Sequence, residues 1–171
     1  MGEWITRGYA SSLLLSLVMI MAVISYGAVL TYDTMNPAEA QTFVNSISGS
    51  VAPTALNIFL NNLALSIPLL VPMLGLIPFG LTLYNTGRAL GAVAIVKSLP
   101  YTTVLATALS ANPLEITAYA ILLAENIYTS YLAIKGQFID RVKSGYWRSV
   151  LAYLIALLAG ALMEASLLMV R

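Results

Sequence analysis

Pro113-Leu114-Glu115-Ile116-Thr117-Ala118-Tyr119-Ala120-Ile121-Leu122-Leu123-Ala124-Glu125-Asn126-Ile127-Tyr128-Thr129-Ser130-Tyr131-Leu132-Ala133-Ile134 is the stretch that decides the fold. It is mostly apolar or aromatic and, at ~1.5 Å per residue, long enough to cross a bilayer. A carboxylate beside a carboxamide, Glu125-Asn126, stands near its middle. A charge at that depth costs a few kcal/mol or more, so it normally faces protein or a water-filled cavity. On a helix turning about 100° per residue, Tyr119, Leu122, Asn126 and Thr129 lie within about 40° of Glu115, and Glu125 flanks the stripe. Lipid offers those groups no hydrogen-bond partner, so the stripe is expected to turn toward other helices.

The rest of the chain repeats this character. Of 171 residues, 60% are hydrophobic and 9% charged, which suits a bundle of apolar helices rather than a soluble domain. Apolar runs at about 9–31, 55–83, 86–110, 113–134 and 147–170 predict an all-α, polytopic transmembrane bundle of about five spans forming one domain. The 86–110 run carries Arg88, Lys97, Ser98 and Pro100, so a broken or re-entrant segment is expected there. Pro68, Pro72, Gly75, Pro78 and Gly80 predict a kink or interruption in the second run. The run from Ser11 to Leu30 is read as a retained first span rather than a cleaved signal, because it lacks a small-x-small cleavage pattern.

Asn36-Pro37 followed by Ala38-Glu39-Ala40-Gln41 predicts a short surface helix over 37–48, with Asn as cap and Pro in the first turn. Lys135, Arg141, Lys143 and Arg148 crowd the connection before the last span, whereas the first loop carries Asp33 and Glu39 without Lys or Arg. The positive-inside rule then predicts a multi-pass cell-membrane protein with its N-terminus cytoplasmic and C-terminus external. The formal net charge of +1 points to no nucleic acid. The partners expected are the bilayer and either other membrane proteins or further copies of the chain.

The absence of Cys and His removes thiolate chemistry, imidazole metal ligands and any His base. No nucleotide loop or nucleophile set is recognisable, so the expectation is a non-enzymatic protein with no catalytic residues, metal or cofactor. The polar residues to watch are Asn61, Asn62, Glu115, Tyr119, Glu125, Asn126 and Glu164, expected to form an intramembrane cluster. Glu115 and Glu125 sit ~15 Å apart along one helix, too far to act on one bond. Lys97 is expected either to pair with an acid such as Glu125 or to open toward water. Asn85, Gly87 and Gly91 are expected to reverse the chain and permit close backbone approach.

Asn61-Asn62 opening a helix, the Tyr84-Asn85-x-Gly87-x-x-Leu90-Gly91-Ala92 pattern and Pro113-Leu114-Glu115 together resemble the stage II sporulation protein M family of integral membrane proteins. The resemblance covers roughly residues 55 to 135. It implies an all-helical polytopic fold and carries over Asn61, Asn62, Asn85, Gly87, Gly91 and Glu115 as family-like positions. A His-Gly pair commonly precedes the glutamate in that family; here Ala111-Asn112-Pro113 stands there, which weakens a proton-transfer role. The function it implies is a membrane scaffold or assembly protein, linked to envelope remodelling or a larger complex. The alternative from the buried Glu and Asn residues is a small oligomeric transporter or ion channel.

Overall fold

The computed structural model describes residues 5–47 and 54–169, and all regular structure among them is helical. Ser48 and Val170, at the expected limits of the surface helix and the last span, lie outside the described residues. Helix α1 (Arg7–Thr34) is capped by the Thr6 side chain, which accepts from the Tyr9 amide. Its 28 residues extend about 42 Å at helical rise. The face carrying Leu14, Leu15 and Val18 is exposed, while Ser12, Ser16, Ile20, Ile24 and Ala28 turn inward. Helix α2 (Pro37–Ile47) begins with a reciprocal capping box: the Glu39 amide donates to Asn36 Oδ1 at 2.9 Å and the Asn36 amide to Glu39 Oε2 at 3.4 Å.

The second apolar run divides. Helix α3 (Ala55–Ser66) gives way to a 3-10 turn (Ile67–Leu70), a non-helical break to Gly75, and α4 (Leu76–Val96). Pro68 and Pro72 lack the amides a continuous helix needs. Gly75 is required because a Cβ there would lie 2.1 Å from the Pro68 carbonyl oxygen. The turn expected at Asn85–Gly91 is absent, since α4 runs straight through it. The glycines serve packing instead: a Cβ on Gly87 would lie 2.2 Å from the Ile24 carbonyl oxygen, and one on Gly91 2.5 Å from that of Ala28. The same residue types mark a turn or a close helix crossing, and α1 decides for the second.

Helix α4 stops where the Leu99 amide donates to the Ala94 carbonyl and that of Ser98 to Ile95, with Ser98 at φ 52°. This is the glycine-type helix stop built on a serine, and Pro100 cannot resume the helix. Helix α5 (Tyr101–Ala111) and α6 (Pro113–Ile134) follow, so the run at 86–110 is broken as expected, but its first part belongs to α4. Gly136, at φ 71°, ends α6. A short α7 (Phe138–Arg141), a π-helical turn (Val142–Tyr146) and α8 (Trp147–Met169) complete the chain.

Contacts set the directions. Gly27 faces Tyr84 and Gly91 faces Ala28 and Thr31, so α1 and α4 run parallel. Thr6 bonds Tyr128 while Gly160 abuts Asn112 and Glu115, so α6 runs against both α1 and α8. Ser66 meets Tyr153, and Ile58 packs near Ala161 and Ala165, so α3 descends against α8. One end of the bundle gathers Arg7, the 71–75 break, Lys135 and α7; we call it the basic end. The distal end gathers Asp33, α2, Lys97 and Asn112. Arg88 lies there, 5.1 Å over the Phe43 ring, and not at the basic end as a chain reversal beside it would require.

Between these ends, Ile20, Phe79, Leu122, Tyr153 and Leu157 form the centre of the core. Among the described residues, two stretches, Arg7–Thr34 and Phe138–Ser166, are long and apolar enough to cross a membrane, with mean hydropathies of 2.5 and 1.8. Helices α4 and α6 have the length, but Arg88, Asn85, Glu125 and Asn126 dilute their apolar character.

Candidate functional site

The polar residues of α6 serve two separate sites. Toward the basic end, Glu125 and Asn126 are buried, at 0% and 1% exposure. Arg141 reaches Glu125 in a two-pronged ion pair, Nε donating to Oε1 at 2.9 Å and Nη2 to Oε2 at 2.6 Å. The guanidinium lies 4.9 Å and 5.1 Å from the rings of Tyr9 and Tyr128 and donates weakly to Ser149 at 3.4 Å. The parallel N–H donors and the flanking aromatic faces match what a planar guanidinium prefers. Lys97 is therefore not the partner of Glu125; it is exposed beyond the end of α4, at the opposite end of the bundle.

Asn126 closes the break between α3 and α4. Its Nδ2 donates to the Leu69 and Val71 carbonyls at 2.7 and 2.8 Å, and the Tyr146 hydroxyl donates to that of Leu70 at 2.8 Å. The Met73 amide, at a positive φ of 68°, donates to Ser130 Oγ. Backbone groups released by the prolines are thus taken up by α6 and the π-helical turn, as buried backbone requires. The sequence alone places Arg141 only in a basic connection. The turn at Gly136, which folds the chain back so that Arg141 meets Glu125 from 16 residues further on, is the sequence signal for its role.

Toward the distal end, α1, α3, α4, α5, α6 and α8 enclose a cavity of about 390 Å³. Asn61, Asn62, Glu115, Tyr119 and Glu164 all line it, so five of the seven cluster residues converge while Glu125 and Asn126 stand apart. Asn112 joins them: its Nδ2 donates to Glu115 Oε2 at 2.6 Å and to Glu164 Oε2 at 3.0 Å. Gly160 lies close by; a Cβ there would come within 3.1 Å of Asn112 Oδ1, a tight contact that a small shift of the amide would relieve. Asn61 donates to Asn62 at 3.5 Å, at the long limit of such bonds. Tyr119 stacks edge-on against Phe79, with ring centroids 5.4 Å apart.

Among the described residues, the sole ion pair is Arg141 with Glu125. Two carboxylates therefore meet at one neutral carboxamide with no Lys or Arg beside them. Like charges brought together in a partly dry site repel, and only a proton or a cation relieves them. No group of three or more metal-binding side chains is assembled among the described residues. Asn85 is exposed, and Gly87 and Gly91 belong to the α1 contact rather than the cavity. No protein-family model, curated protein or solved structure matches this chain.

Proposed function

We propose that the chain is a five-crossing integral membrane protein that admits a positively charged solute to a chamber open toward the outer face, and that it works as a small transporter. The crossings are α1, the α3 segment with its break, α4, α6 and α8, alternating in direction as their contacts require. Among the described residues the basic end carries Arg7, Lys135, Arg141, Lys143 and Arg148 against Arg88 and Lys97 at the distal end, which by the positive-inside rule supports reading the basic end as cytoplasmic. The observation that carries the reading is the pair Glu115 and Glu164, held by Asn112 in a cavity without a compensating cation. An uncompensated acid pair in an apolar bundle takes up a proton or a cation, and the cavity beside this pair gives room for the second. The Glu125–Arg141 cluster then forms the cytoplasmic seal.

The test is flux. Liposomes containing the protein should take up organic or inorganic cations faster than empty liposomes, and Glu115→Gln with Glu164→Gln should remove the difference. Equal leakage with and without protein contradicts transport. The sequence resemblance favours a second reading, a membrane scaffold. A scaffold would retain a stoichiometric partner from native membranes in the Glu115→Gln, Glu164→Gln variant, whereas a transporter needs no such partner.

A further inference from the structure

We infer that the ligand of the distal cavity is an organic ammonium ion, a protonated amine on a small apolar body. This rests on reading the cavity as a cation chamber and names the class of cation. The group already placed between the carboxylates is an amide NH2, donating to both at 2.6 and 3.0 Å. The acid pair is thus arranged around N–H donors. A bare divalent ion is held by several carboxylates and other oxygens closing on it together, and no group of three or more His, Cys, Asp or Glu side chains is assembled among the described residues.

Those walls are largely apolar. The accessible apolar floor of the cavity is formed by the part-buried Leu90, Leu109 and Ile116, while Glu115, Glu164 and Asn61 carry its polar groups. Its volume of about 390 Å³ falls within the ~300–1,000 Å³ range of small-molecule sites. A hydrated inorganic ion would leave the apolar floor wet. An alkyl or aryl body on an ammonium head covers the floor and places its N–H donors at the acids, satisfying both halves of the cavity at once.

The test is equilibrium binding of radiolabelled phenethylammonium to the detergent-purified protein, with 2-phenylethanol as neutral competitor and Na⁺ and Ca²⁺ as inorganic competitors. The expected result is saturable binding that Glu115→Gln or Glu164→Gln weakens by about 10- to 100-fold, the worth of a charge-assisted hydrogen bond. The alcohol should compete at least about tenfold less well, in keeping with that worth. Ala108→Trp on α5, which fills the cavity and keeps both acids, should abolish binding while circular dichroism shows helix content unchanged. Equal competition by the alcohol, or binding that survives Ala108→Trp, overturns the inference. Displacement by millimolar Na⁺ or Ca²⁺ overturns it also, while leaving cation transport standing. Amine binding without flux in liposomes supports this site and removes the transport reading alone.

Discussion

The two acidic sites of this bundle differ in one respect: Glu125 at the basic end has a guanidinium to itself, and Glu115 and Glu164 at the distal end share one uncharged amide. Both lie among apolar helices, so the difference lies in compensation. A compensated charge holds helices in register, here α6, α8 and the π-helical turn against α1. An uncompensated pair contributes little to the fold and leaves a field for something else to neutralise. The first site should therefore be read in stability and the second in binding.

The largest effect is expected at the compensated site. Glu125→Ala or Arg141→Ala strands a buried charge, at a cost of about 3–5 kcal/mol, read as a steep fall in the thermal unfolding temperature in detergent. The double variant Glu125→Leu, Arg141→Met should recover most of that loss, because no charge is left unpaired. Failure to recover would mean that the pair does more than satisfy itself. Next comes Asn126→Leu, which strips the Leu69 and Val71 carbonyls of their donor; a loss of about 1–3 kcal/mol per stranded group is expected. Protease sensitivity near residues 71–75 would locate it.

A smaller contrast separates two glycines of α4. Gly87→Ala sets a Cβ against the α1 backbone, and overpacking of this kind costs about 1–3 kcal/mol. Gly80→Ala meets nothing within 4 Å and should stabilise the helix by roughly 0.5–1 kcal/mol. Equal effects at the two positions would break the account of the α1 crossing. Smallest in stability are Glu115→Gln and Glu164→Gln: each removes a like-charge neighbour and keeps a hydrogen-bonding oxygen, so unfolding temperatures should move little or rise. A collapse of stability there would make the two sites alike.

Much of this was legible in the residues. The inward stripe on α6 follows from helical period and the cost of leaving amides and acids in apolar surroundings; Leu122, Glu125, Asn126 and Thr129 are buried accordingly, with Glu115 and Tyr119 part-buried at the cavity. Pro68, Pro72 and Gly75 announced the break, and Asn36-Pro37 with Glu39 announced α2. The turn assigned to Asn85–Gly91 failed because local chemistry cannot separate a glycine that bends from one that packs, and only the approach of α1 does so. The partner of Glu125 failed for a related reason. A turn at Asn85–Gly91 would set Lys97 mid-span near the depth of Glu125, but α4 begins at Leu76 and runs on to Val96, which carries Lys97 out to the distal end. Asn112 stands out in the sequence only as a family departure, although the two acids give it its place.

The most direct test compares thermal unfolding with and without phenethylammonium for three proteins: the unaltered chain, Glu125→Gln, and the Glu115→Gln, Glu164→Gln pair. Added amine should raise the unfolding temperature of the first two and leave the third unmoved, whatever their starting stabilities. An equal rise in the third, or a response that vanishes with Glu125→Gln and survives loss of the distal acids, would place the unmet charge at the wrong end of the molecule.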